Sequence, residues 1–168
     1  MKRIFVIIVF FLIYFNIVTY SQEKINFSAG IGYAELLNLG MYFQSEQIQI
    51  GLSYGSWPRS EIYSISSDLK FHMGDSSQYS NRKCWFILFG YIYSKSENRE
   101  SVNRIQLLNF RFGRDINISK KFGFNISIGT MGVLSDETER KTCFTCPLGG
   151  VSLAFLPGIG IELFYRIY

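Results

Sequence analysis

Three cysteines and a single histidine are the residues of this chain most readily put to chemistry. Cys143 and Cys146 stand in the order Cys-Phe-Thr-Cys. That spacing suits a redox dithiol, half of a metal site, or a disulfide closing a small loop. A thioredoxin-like pair belongs in a βαβ setting, and a structural zinc takes four ligands. Neither context accompanies these cysteines, and Cys84 and His72 belong to the opposite end of the strand pattern described below. A disulfide between Cys143 and Cys146, formed in an oxidising compartment, is the reading that asks least. Cys84 is then a free thiol at the start of a strand. His72 shares a face with Lys70, Asp68, Ser66 and Ser64 at period two. A serine, a base and an acid are the parts of acyl transfer. The same face also makes an ion-paired interior, because buried charges cost several kcal/mol each unless they are paired. The expected network is therefore Asp68 and Glu162 pairing with Lys70, Arg111 and Arg166. No phosphate loop, catalytic-serine motif, metal site or cofactor site is expected, and Gly30-Ile31-Gly32 reads as strand packing.

The elements that carry these residues follow a period of two. Phe27, Ala29 and Ile31 alternate with Ser28, Gly30 and Gly32. Ile48, Ile50, Leu52 and Tyr54 alternate with Gln49, Gly51, Ser53 and Gly55. Similar stretches cover Leu37–Gln44, Tyr63–Met73, Leu108–Asp115, Phe122–Gly129 and Ile159–Tyr168. Cys84–Ser94 is apolar on both faces. No helical period competes after residue 25, so the body is all-β, with eight strands, no linker and no second domain.

The N-terminus reads as an address. Lys2 and Arg3 precede an apolar run from Ile4 to Phe15, and Thr19-Tyr20-Ser21 offers a cut after Ser21. This is the pattern of a secretory signal peptide over residues 1–21, leaving 22–168 as a single domain. The run is short for a membrane-spanning helix, which takes about 20 residues. The formal net charge of +4 falls to +2 once Lys2 and Arg3 leave. With no cluster of basic residues interleaved with aromatics, a nucleic-acid partner is excluded.

Which face points inward decides the class. Only Asp68, Lys70, Arg111, Asp115, Glu162 and Arg166 put full charges on the polar face, fewer than a water-facing surface carries. Charged residues make up 18% of the chain, against ~25% in soluble domains. A lipocalin-like soluble barrel would put its apolar face inside. The face composition instead suits an eight-stranded antiparallel up-and-down transmembrane β-barrel, its apolar face in lipid and its lumen filled by side chains. Tyr33, Tyr54, Tyr63 and Tyr93 fall near one set of strand ends, and Phe43, Phe71, Trp85 and Phe122 near the other, as two aromatic girdles would.

The leader, the strand count and the tail Gly158-Ile159-Gly160-Ile161-Glu162-Leu163-Phe164-Tyr165-Arg166-Ile167-Tyr168 resemble the small outer-membrane barrels of the OmpA/OmpX type, notably the short Bacteroidetes-like ones. The resemblance spans Asn26 to Tyr168. It implies an outer-membrane location, outer-membrane lipid as surroundings, and a terminal aromatic strand read by the barrel assembly machinery, although Tyr168 is out of phase with the apolar face. It also implies a non-enzymatic structural or recognition role. A narrow solute channel and a lipid A-modifying enzyme are the alternatives. An even strand number puts both termini on the periplasmic side. Ser45-Glu46, Gly74–Lys83 and Asn117–Lys120 are then periplasmic turns. Ala34–Leu36, Ser56–Glu61, Lys95–Asn103 and Ser135–Pro157 are outer loops, the last the place for an extracellular partner.

Overall fold

A computed structural model of the chain describes residues 25–58, 61–77, 79–98, 101–140 and 155–167. The leader reading and the Cys143/Cys146 pair lie outside the described residues. Alternating residues drive eight strands: β1 (Ile25–Gly32), β2 (Leu36–Ser45), β3 (Ile48–Ser56), β4 (Ile62–Ser77), β5 (Ser80–Glu97), β6 (Ser101–Asn117), β7 (Phe122–Arg140) and β8 (Phe155–Ile167). Each pairs antiparallel with the next, and β1 closes on β8. The fold is the closed eight-stranded antiparallel barrel that the alternation predicts.

The pleat sends the two halves of each pattern to opposite sides. Along β3, Ile48, Ile50, Leu52 and Tyr54 are exposed, while Gln49, Gly51, Ser53 and Gly55 are buried. Among the described residues thirty-two large apolar side chains are exposed and nine hydrophobic ones are buried, so the apolar face is the outer one. β5, apolar on both faces in sequence, divides in the same way. Phe86, Leu88 and Ile92 face in, and Phe89 and Tyr91 face out.

The interior is filled partly by aromatic side chains laid over glycines. Tyr42 stands directly across from Gly51, Phe86 from Gly113, and Phe164 from Gly123. In each pair the ring occupies the space that a glycine Cβ would need. At the other end of the barrel Ile92, Leu107, Met131 and Val133 form an apolar cluster, with Ala34, Ile105 and Leu156 packed on it.

Several boundaries differ from the sequence reading. Gly74–Lys83 is not a long turn: β4 runs to Ser77 and β5 starts at Ser80, through a bulge between Met73 and Ser76 where Gly74 takes φ +84°. β5 and β6 continue through most of the expected loop Lys95–Asn103, reaching Glu97 and resuming at Ser101. β7 continues to Arg140, inside the expected loop Ser135–Pro157, and β8 begins at Phe155. These segments are mostly polar on both faces and carry no clear apolar alternation. Backbone hydrogen bonding continues the ladder through them without a hydrophobic pattern to mark it. As a result β5, β6 and β7 have 18, 17 and 19 residues against 8, 10 and 9 in β1, β2 and β3. One wall of the barrel stands well above the other.

Candidate functional site

The charged side chains of the inward face gather in the lumen. Three groups succeed one another along the barrel. At the end with the short turns, Arg82 Nη2 lies 2.6 Å from Asp115 Oδ2. Gln44 Oε1 accepts from Asn26 Nδ2, Gln49 Nε2 and Arg82 Nη1 at 3.1, 3.1 and 3.0 Å. His72 sits with Nε2 2.9 Å from Gln49 Oε1 and Nδ1 3.1 Å from Lys83 O. Arg166 donates to the Asn117 side chain and to Lys120 O. The guanidinium groups of Arg82 and Arg166 lie 4.9 and 4.7 Å from the Phe164 ring.

In the middle, Lys70 Nζ donates to Glu162 Oε2 at 2.8 Å and rides over the Tyr42 ring at 4.1 Å. Asn125 Nδ2 also donates to Glu162, at 3.0 Å. The Tyr42 hydroxyl lies 3.1 Å from Asp68 Oδ2 and 3.3 Å from Glu162 Oε1. At the far end, Glu35 of the β1–β2 turn folds into the lumen and is only 6% exposed. It pairs with Arg111, whose Nε donates to Asn109 Oδ1 at 2.8 Å. Ser64 Oγ donates to the Glu35 carbonyl at 3.0 Å. Neither Gly32 nor Gly55 leaves room for a Cβ beside this folded turn.

Of the expected network, the structure brings Lys70 and Glu162 together. It gives Arg111 to Glu35 rather than to Asp68 or Glu162, because the turn reaches into the barrel. Arg166 meets Asn117, Lys120 O and Phe164. Sequence reasoning missed Glu35 and Arg82, each an ion-pair partner for a residue it had put inside. Both fall in stretches that read as turns, where a charge is normally solvated. For Arg82 a signal existed, since residues 82, 84, 86 and 88 share one parity. For Glu35 the only hint was two glycines on neighbouring strands. With these two residues, four acids (Glu35, Asp68, Asp115, Glu162) face four bases (Lys70, Arg82, Arg111, Arg166) among the described residues. The formal charge of the lumen is then zero with His72 neutral.

The residues weighed for acyl transfer are not assembled. Ser66 and His72 are six residues apart on one strand, about 20 Å. Ser66 Oγ sits 2.6 Å from Ser53 Oγ, and the His72 nitrogens face Gln49 and Lys83. Cys84 is a free cysteine, half-buried, and no group of three or more histidine, cysteine or acidic residues among the described residues is placed to hold a metal.

Outside the lumen, the raised wall carries two ion pairs, one exposed and one half-buried. Arg104 Nη1 lies 2.7 Å from Glu139 Oε1, and Lys95 Nζ 3.0 Å from Glu97 Oε2. The hydrogen bond from Arg104 holds the Glu139 carboxyl below its ordinary range and the guanidinium above its own. The bond to Glu97 raises Lys95 in the same way.

The whole barrel can be compared with known structures. The N-terminal β-barrel domain of Pseudomonas aeruginosa OprF, a crystal structure, matches with a TM-score of 0.52. The fold is that of an outer-membrane barrel domain. The match covers 86% of this chain and 100% of that domain, at 17% sequence identity. At this identity the likeness is one of architecture. No protein-family model and no curated sequence matches the chain.

Proposed function

We propose that this protein is an integral outer-membrane β-barrel with a closed lumen, acting through its presence in the membrane and its surface-facing end rather than through catalysis. One observation carries the reading: the barrel is apolar outside and ion-paired inside. An exposed apolar surface wrapping all eight strands far exceeds what a soluble monomer presents. It matches the band that lipid covers, and barrel closure leaves no open edge. The band also has the right height. On β4 it runs from Tyr63 to Met73, about 33 Å along the strand, or about 25 Å after a tilt of roughly 40°. The exposed aromatics support the two expected girdles, with Tyr33 and Tyr54 at one rim and Phe43, Phe71 and Phe122 at the other. The short-turn end is then periplasmic, and the raised β5–β7 wall stands outside.

The lumen supports a structural role over a solute channel. Three aromatic rings, three ion-paired groups and the inward-folded Glu35 turn fill it. Cell fractionation with carbonate washing tests the location: the protein stays in the outer-membrane pellet and migrates differently on a gel before and after boiling. Release by carbonate removes the membrane reading. Planar-bilayer recording tests the closed lumen, and steady ion conductance from the purified chain would favour the channel instead.

A further inference from the structure

We propose that Arg114 and Lys83, flanking Trp85, form a binding site for the phosphate of a phospholipid in the leaflet at the short-turn end. The proposal rests on the membrane reading above. Along the described outward face of β6, Arg114 sits between Phe112 and Ile116, both exposed. Its cross-strand neighbours are Trp85 on β5 and Ile126 on β7. It is thus a full charge with apolar side chains on every side of it within the ladder.

Its surroundings are organised. The guanidinium lies 5.0 Å from the Trp85 ring, and that indole stacks on Phe112 at 5.1 Å with planes 15° apart. Contact with the indole face restricts where the guanidinium sits, and its N–H groups suit a planar fork on an oxyanion. Lys83 lies two residues from Trp85 at the same parity on β5, just beyond Trp85 and Arg114, the last pair of the β5–β6 ladder at this end. Among the described residues neither cation makes an ion pair within 4 Å, and Asp75 on the neighbouring β4 bulge engages neither.

Depth selects the ligand. Arg114 is three residues from the end of β6 at Asn117, about 8 Å in height for a tilted strand. A tryptophan at that level marks the boundary between hydrocarbon and headgroups. The anion available there is the phosphodiester of a phospholipid. A bidentate arginine with a second cation nearby is the arrangement that recognises it.

The test uses the full chain with Trp57→Phe, which leaves Trp85 as the sole tryptophan reporter. The folded protein, verified by its gel shift before boiling, is titrated in neutral detergent with phosphatidylglycerol brominated near the carbonyl. Diacylglycerol brominated at the same carbons serves as the phosphate-free control. The expected result is half-maximal quenching by phosphatidylglycerol at a tenfold lower mole fraction than by diacylglycerol. Arg114→Gln brings the two lipids to parity, and Arg114→Lys keeps part of the preference. Excess inorganic phosphate leaves the quenching in place. Equal quenching by both lipids in the parent protein overturns the site, as does an undiminished preference in both Arg114 variants, or displacement by inorganic phosphate. Absence of quenching by either lipid instead removes the membrane-facing reading on which the site depends.

Discussion

Glu35 and Arg111 show what a buried charge demands of its partner. Removing one side of such a pair leaves the other uncompensated in a poorly solvated interior, at about 3–5 kcal/mol. Arg111→Met alone is expected to lower the unfolding free energy of the vesicle-folded barrel, read from urea titration, by that much. The double change Glu35→Leu with Arg111→Met recovers most of the loss. Glycines make a second contrast at this scale. A methyl at Gly51 meets the Tyr42 ring, whereas one at Gly132 meets only the Phe155 ring edge at 3.9 Å. Gly51→Ala is expected to cost about 1–3 kcal/mol through overpacking, and Gly132→Ala to stay within about 0.5 kcal/mol, both read from the same unfolding curves. Sequence alone placed Arg111 and Lys70 inside because both obey the alternation. It assigned Arg111 to Asp68 or Glu162 instead of Glu35, because the true pairing depends on how a three-residue turn folds. Strand parity puts Tyr42 and Phe164 on the inner face, but the glycines that receive their rings follow only from register, which is set across the ladder.

Strands and turns behave less uniformly than residue parity suggests. Alternation marked eight strands, and it stopped where both faces became polar, so the ends of β4 to β7 were read short. The β1–β2 turn carries its own conformational cost: Leu36 has φ +62°, in the left-handed region. That conformation costs a non-glycine residue about 1–2 kcal/mol. Leu36→Gly is therefore expected to raise the unfolding free energy by about 1 kcal/mol if the turn keeps its inward fold. The protruding ends of β6 and β7 offer a pH test. Glu139 titrates below its ordinary range because Arg104 bonds its carboxylate. Its stabilising contribution is present above the unfolded glutamate value, near 4.3, and fades as pH falls through the depressed folded value. Glu139 is exposed and Arg104 half-buried at the strand end, so the effect belongs to the local pair. Arg104→Ala is expected to move the Glu139 titration upward toward the ordinary value in an NMR pH series.

For the molecule as a whole, polarity is arranged the opposite way from a soluble barrel. Leu52, in the middle of β3, is 64% exposed. On a water-facing surface Leu52→Arg would be nearly harmless. At the midplane of a bilayer an arginine on the lipid face costs about 2–4 kcal/mol, and that loss is the expected result for the vesicle-folded protein. The sequence revealed this architecture because face composition follows from strand parity whatever the partners inside.

The balance of four acids against four bases in the lumen has a consequence for ionic strength. Mobile ions screen charges they can approach, over about 10 Å in 0.1 M salt, and buried groups already neutralised by one another lie beyond their reach. The unfolding midpoint of the barrel should therefore be nearly the same in dilute buffer and in brine, while exposed pairs such as Arg104 with Glu139 loosen as salt is added.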